Sequence, residues 1–381
     1  MITVLADQHH YQLERFLHPT IRLEKYDPLK GWTNEQIRRA DAILVRTTTP
    51  LNSETLTEEN VLQFVGTASA GRDHLDEEWL EEHNILIADA KGSNAQSVAE
   101  YMAISVLSYC DSRNIEPGGL TAGIVGAGYT GSATANILER IGLACRLYDP
   151  PREERERLEN KNHYFQSAPL EEVLAADIIS FHVPLEKRGR HATLHWFDEN
   201  KIRLHPRKLV VNASRGGVVN ENALRKAHQD RHIDRFICDV WENEPFFNDE
   251  TLRQALLATP HIAGYSVEAK RNASEMMCRQ LHDFFGLPNP ESPEPNPRYI
   301  PLPEEDLSLS EILKTLHPAF SYDADLRALT GLPDDKKGPA FLKLRQNTPL
   351  RNEFQEIEIP EKVVDRHPVL KQIGFRVSVS P

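Results

Sequence analysis

From residue 1 to about 93 the chain alternates short apolar runs with charged stretches. The runs ITVLA (2–6), AILVR (42–46), LQFVGT (62–67) and ILIA (85–88) have the length of buried strands. Residues 34–40 and 77–83, which lie between them, are rich in charged helix formers. This rhythm predicts a parallel sheet covered by helices. Residues 94–112 lack Gly and Pro and carry apolar side chains at helical spacing, which predicts one long helix. Beyond Gly118-Gly119 a second, longer series of strands and helices begins with TAGIVG and runs to about 264. The restart predicts two α/β domains in tandem.

A further helix is expected over 266–285. Seven prolines then fall between 288 and 303, a density that excludes a helix or a central strand and predicts an extended linker. In the remaining residues, 304–316, 323–329 and 336–347 read as helices, whereas EFQEIEI (353–359) and FRVSV (375–379) read as strands. They predict a small α+β module.

Charge narrows the class of function. Lys and Arg total 44 against 57 Asp and Glu, a net charge of −13 over 381 residues. That balance argues against a general nucleic-acid or anionic-membrane binder. An anionic substrate would be held by locally concentrated arginines. No apolar run approaches the ~20 residues that span a bilayer, and MITVLADQ reads as a first strand rather than a signal peptide. Four cysteines stand far apart with no C-x-x-C pair, which suits a reducing cytosol and gives no reason to expect a metal.

The strongest local motif is TAGIVGAGYTG at 121–131, which places Gly126, Gly128 and Gly131 in G-x-G-x-x-G spacing. It follows an apolar strand and opens a helix. A second strand then ends in Asp149, 18 residues after Gly131. Gly126 permits the tight turn, Gly128 lets the backbone approach a pyrophosphate, and Gly131 allows close packing of helix on strand. The helix N-terminus offers free N–H groups to phosphates. Asp149 is placed to accept hydrogen bonds from a ribose diol and to repel a 2′-phosphate, which favours NAD over NADP. Arg152, three residues on, is the counter-indication. The alternative is a structural βαβ unit without a nucleotide.

Three later segments end strands in chemically active residues. LVVNASRGGVVN (209–220) delivers Arg215, FICDVWENEPF (236–246) delivers Asp239, Glu242 and Glu244, and ATPHIAGY (258–265) delivers His261. In open α/β sheets, ligands bind beyond the carboxyl ends of the strands, so these side chains can converge. Either Glu242 or Glu244 is placed to partner His261. His182, after the strand 178–181, reads as a loop residue beside the cofactor.

In order and spacing, G-x-G-x-x-G, NASRG, DVWENEP and PHIAG resemble the D-isomer-specific 2-hydroxyacid dehydrogenases. More narrowly, GTASAGRDHLD (66–76), YDPPR (148–152), FHVPL (181–185) and HIAGY (261–265) are similar to one branch of that family. That branch oxidises 4-phospho-D-erythronate to 2-oxo-3-hydroxy-4-phosphobutanoate in pyridoxal 5′-phosphate (vitamin B6) biosynthesis.

The resemblance implies an α/β fold of two Rossmann-like, doubly wound parallel-sheet domains plus a small α+β C-terminal dimerisation domain. It implies a substrate-binding domain of 1–93 with 265–287, an NAD-binding domain over 94–264, a linker at 288–303 and a dimerisation domain at 304–381, giving a homodimer. By the same resemblance Arg215 clamps the substrate carboxylate, His261 takes the hydroxyl proton and Glu244 supports the imidazole. A forked guanidinium and an imidazole, a side chain able to exchange a proton near neutrality, suit these tasks. Val183, Ala213, Ser214, Asp239 and Gly264 match cofactor positions, whereas Arg46, Thr47, Ser69 and Tyr265 match substrate positions. The basic cluster Lys343, Arg345 and Arg351 reads either as a solvated helix face or as help in neutralising a phosphorylated substrate. Competing readings are another D-2-hydroxyacid dehydrogenase, of phosphoglycerate or glycerate type, and a non-catalytic NAD-sensing protein.

Overall fold

The computed structural model describes residues 1–56, 60–159, 163–303 and 307–378. They form two compact units, Met1–Asn94 with Val267–Pro295 and Ala95–Ser266 with Asn296–Pro381. Each unit is built on an all-parallel sheet, as the alternating pattern predicts.

In the first unit the strands are β1 (Thr3–Asp7), β2 (Arg22–Tyr26), β3 (Ala42–Val45), β4 (Phe64–Thr67) and β5 (Leu86–Asp89), in the order β2-β1-β3-β4-β5. The two-residue period of a strand divides its apolar side chains between two cores. Leu5, Ile43, Val45 and Val65 face one core, whereas Val4, Ala6, Leu44 and Phe64 face the other, with Met277 and Leu281 of the helix Val267–Phe285. Gly66 lets that helix lie close, since a Cβ there would meet Leu44 and Met277 at 2.8 Å. The polar edge strand β2 carries no apolar run and was not foreseen from the pattern.

The second unit holds β6 (Thr121–Val125), β7 (Ala144–Tyr148), β8 (Ile178–Phe181), β9 (Arg207–Asn212), β10 (Ile233–Cys238) and β11 (Leu257–Ala258), in the order β11-β10-β9-β8-β6-β7. The long helix Ala95–Arg113 is buried on nearly every side. Its Val98, Met102 and Val106 share one apolar cluster with Leu313, Leu316, Phe354, Ile359 and Leu370. The residues after the linker thus pack on the core of this unit. A three-stranded parallel sheet joins β12 (Arg298–Tyr299), β13 (Ile357–Pro360) and β14 (Arg376–Ser378), in that order, and β12 lies within the proline-rich stretch 288–303 that was read as wholly extended linker. Helices Leu309–Leu316, Ala319–Arg327 and Asp334–Gln346 overlap the expected 304–316, 323–329 and 336–347, with the first starting later, the second shifted toward the N-terminus, and 304–306 and Val379 outside the described residues. Two further short helices, Glu361–Arg366 and Val369–Ile373, were not expected.

Polar contacts fix this module in place. Asp323 accepts from the Ala258 N–H (2.7 Å), and Arg327 donates to the carbonyls of Leu252 and Ala255 (2.7 and 2.9 Å), so the edge strand β11 is covered. Arg351 pairs with the fully buried Glu100 and donates to the Ser97 carbonyl (3.0 Å). Glu100 also accepts from the Phe354 N–H at 2.9 Å. Burial pushes the Glu100 carboxyl up to about 7, and Glu353 adds to that rise, while Arg351 opposes it. Arg351 is therefore a structural cation and is not available to a substrate.

Removing one member of a buried ion pair leaves the other uncompensated, at a cost of about 3–5 kcal/mol. Arg351→Ala is expected to lower the unfolding free energy by that amount in a urea titration. A loss below about 1 kcal/mol would show that the pair does not hold the module.

Candidate active site

The glycine-rich turn lies between β6 and the helix Tyr129–Arg140. Gly126 has φ +93°, and a Cβ on it would meet the His182 carbonyl at 2.5 Å. A Cβ on Gly131 would sit 1.8 Å from the Gly126 carbonyl, so neither position accepts another residue without displacing the turn. Gly128 differs. A Cβ there meets nothing within 4 Å, and the residue caps the helix without a side-chain hydrogen bond. The turn thus presents open space and an uncapped helix N-terminus, as a pyrophosphate requires.

Asp149 follows β7 and takes N–H bonds from Ala127 (2.8 Å) and Arg152 (3.0 Å), which aim its carboxylate beside the turn. Arg152 is engaged by Glu156 (2.7 Å) and lies over the Phe165 ring. Val183 packs against the turn, its Cγ1 2.8 Å from where a Gly126 Cβ would be. Burial lowers the neighbouring His182 to about 3, and its Nε2 lies 3.1 Å from Ser180 Oγ. A pKa so lowered makes it a weak proton acceptor.

The remaining residues come from the carboxyl ends of three adjacent strands. At the end of β9, Asn212 Oδ1 accepts from the Ser214 N–H (3.2 Å) and hydroxyl (2.9 Å), and its Nδ2 donates to the Arg215 carbonyl (3.1 Å). This clamp sets the turn through Ala213 that presents Arg215. Gly216 is pressed against the neighbouring turn, since a Cβ would lie 1.8 Å from the Trp241 carbonyl.

After β10, Asp239 is 1% exposed. Its carboxylate accepts from Thr259 Oγ1 (2.6 Å) and from the N–H groups of Ile262 (2.7 Å) and Ala263 (3.0 Å). Its carbonyl accepts from the His261 N–H at 2.7 Å. These bonds hold His261 at φ +59°, a left-handed conformation that costs a non-glycine residue energy. Asp239 therefore anchors the His261 loop, a task that the sequence did not reveal.

His261 Nδ1 lies 2.8 Å from Glu244 Oε2 and 3.2 Å from Oε1. Glu244 also accepts from the Trp241 N–H (3.1 Å). Burial acts to raise the Glu244 carboxyl, but the His261 charge and hydrogen bond, with Arg345 and the Trp241 N–H, hold it below the ordinary value. Glu242 points elsewhere, to His195 (2.9 Å) and the Glu221 N–H. Of the two acidic residues, Glu244 partners the histidine. Gly264 and Tyr265 continue the same loop, where the Tyr265 N–H donates to the Ile262 carbonyl (2.8 Å).

In the first unit, Arg46 follows β3 and donates through Nε to the buried Asp7 at the end of β1 (2.8 Å). Thr47 beside it is exposed, and Ser69 follows β4, its Oγ accepting from the Gly71 N–H (3.2 Å). Arg72 is paired with Asp89 and Glu77.

Residues 95–263 match the model of the D-isomer-specific 2-hydroxyacid dehydrogenase NAD-binding domain. An erythronate-4-phosphate dehydrogenase of Marinobacter nauticus is 37% identical, over 91% of this chain and 92% of the relative. One from Bacteroides thetaiotaomicron is 39% identical, over 88% and 92%. The chain belongs to the erythronate-4-phosphate dehydrogenase family. The fold is that of its wider group: D-lactate dehydrogenase of Aquifex aeolicus, solved with NAD and lactic acid, superposes with a TM-score of 0.57. It is 22% identical and covers 74% of this chain and 95% of its own. Family membership and the matched NAD-binding domain make this chain an NAD-dependent dehydrogenase.

The clamp on Arg215 is open to a direct test. Asn212→Ala removes its hydrogen bonds and lets the guanidinium drift, and a misplacement of ~1 Å can cost ~10²-fold. Steady-state kinetics at saturating NAD should show kcat/KM for the hydroxyacid at least about tenfold lower. An unaltered kcat/KM would contradict the positioning role.

Proposed function

We propose that this protein oxidises 4-phospho-D-erythronate to 2-oxo-3-hydroxy-4-phosphobutanoate as NAD is reduced, a step in pyridoxal 5′-phosphate biosynthesis. The observation that carries this reading is the His261–Glu244 pair, with Nδ1 2.8 Å from the carboxylate, on a loop locked by Asp239. Bound NAD supplies the acceptor for the hydride that leaves C2. Gly126, Gly128 and Gly131 would hold its pyrophosphate, and Asp149 its adenosine ribose. Val183, Ala213, Ser214, Asp239 and Gly264 complete the family's cofactor set.

His261 receives the C2 hydroxyl proton through the ring nitrogen opposite Glu244 as the C2–O bond becomes a carbonyl. The ionised Glu244 fixes the ring orientation and stabilises the imidazolium that forms. Arg215 grips the C1 carboxylate in a forked contact and polarises the C2 oxygen. Arg46, Thr47, Ser69 and Tyr265 serve the rest of the substrate.

We assign the module after the proline-rich segment to pairing of two copies of this chain, with cyclic two-fold symmetry as the usual arrangement. Among the described residues no helix is long and apolar enough to cross a membrane, and with sparse, unpaired thiols this supports a cytoplasmic setting.

His261→Ala should lower kcat for phosphoerythronate by ~10²–10⁴, the range for a lost general base, with NAD affinity little altered. Arg215→Lys should also fail, because an ammonium cannot reproduce a forked contact. Near-normal turnover in either variant would remove that residue from the mechanism. Sedimentation velocity of the full chain at micromolar concentration should give a dimer. A monomer under those conditions would refute the assembly.

A further inference from the structure

Of the basic cluster at 343–351, each member has a different surrounding. Lys343 is exposed and Arg351 is paired with Glu100. Arg345, near the end of the helix Asp334–Gln346, is turned toward the catalytic loop. Its guanidinium carbon lies 5.9 Å from the Tyr265 ring centroid, and the group hydrogen-bonds to that side chain. Glu244 and Asp239 feel its charge.

Both acids act on it from a distance, and their hydrogen bonds go to other groups. Glu244 accepts from His261 and Trp241, whereas the Asp239 oxygens accept from Thr259, Ile262 and Ala263. Among the described residues Arg345 has no ion-pair partner, and its buried Nε has no hydrogen bond. Burial disfavours its charge, and the charges of Glu244 and Asp239 with the Tyr265 hydrogen bond more than offset that cost, yet none of them takes up its Nε. In a chain with thirteen more acidic than basic residues, carboxylates are plentiful, and among the described residues none forms an ion pair with this guanidinium.

The side chain is also held on a rigid support. Lys337 pairs with Asp249 (2.8 Å), Gly338 packs on Phe246, and the buried Phe341 lies 5.9 Å from the Phe247 ring. Arg345 lies beyond residues 95–263, the part shared with the broad NAD-binding domain.

We infer that Arg345 binds the phosphate of the substrate and selects phosphorylated over non-phosphorylated 2-hydroxy acids. This rests on the reaction proposed above, in which Arg215 takes the carboxylate and leaves the second anionic end of the substrate to another cation. An oxygen-rich dianion would place acceptors in direct contact with the guanidinium, on which Glu244 and Asp239 act only from a distance, and guanidinium geometry suits it.

The test compares Arg345→Ala and Arg345→Lys with the native enzyme on 4-phospho-D-erythronate and D-erythronate. The preference between them, a ratio of two kcat/KM values, should fall about 10- to 100-fold in Arg345→Ala, as expected for a lost charge-assisted contact. The change should appear in KM for the phosphorylated substrate, and the lysine should restore part of it. An unchanged ratio, with both substrates affected equally, would overturn the inference and leave Arg345 a support for Glu244. Should the alanine variant fail to fold by circular dichroism, Arg345→Gln carries the same comparison.

Calorimetric titration of the NAD-loaded protein with inorganic phosphate separates the two readings. Phosphate binding that Arg345→Ala abolishes supports the site even if phosphoerythronate is not turned over, an outcome that would refute only the proposed reaction. No phosphate binding by the native protein, or equal binding by the variant, would refute the site.

Discussion

The site depends on one buried carboxylate. Asp239 ends β10, and its two oxygens collect Thr259 and the N–H groups of Ile262 and Ala263, while its carbonyl takes the His261 N–H. Each bond fixes a point on the same loop, and together they offset the left-handed backbone of His261. Without this anchor the histidine would relax to an ordinary conformation and lose its approach to Glu244. The Asp239 N–H in turn donates to the Asn212 carbonyl at 2.9 Å. The turn that carries Arg215 and the loop that carries His261 are thereby joined through neighbouring strands. Parallel strands place all these residues at the carboxyl end of the sheet, which is why a single short stretch of ladder can position a base, its partner and a carboxylate clamp.

Much of this was legible in the chain because it is encoded locally. Continuous apolar runs mark strands buried on both faces, and both parallel sheets follow from them. The glycine turn is readable because its positions are set by backbone collisions, with 1.8 Å at Gly131 leaving no room for another residue. Strand β2 was hidden because an edge strand needs no apolar run, and RLEKY has the look of a loop. Spacing alone did not separate Glu242 from Glu244, and only the family resemblance chose Glu244. Both follow β10 within two residues of each other, and only the path of the turn sends one to His261 and the other to His195.

The C-terminal residues show the opposite limit. Their helices and strands were partly visible, but their place on the core was not, since it rests on contacts between residues far apart in the chain. Arg351 meets Glu100, 251 positions away. Three basic residues that look alike in sequence became a solvated lysine, a structural cation and a guanidinium hydrogen-bonded to Tyr265. Burial and partners, rather than residue type, separate them.

The central claim is that C2 of phosphoerythronate gives up a hydride while His261 takes the hydroxyl proton. Deuterium placed at C2 tests it most directly. Mass spectrometry of the reduced cofactor after turnover with [2-²H]-4-phospho-D-erythronate should find the label on the nicotinamide ring and none in the oxoacid product or the solvent. Label released to water, or kept on the carbon skeleton, would contradict the mechanism.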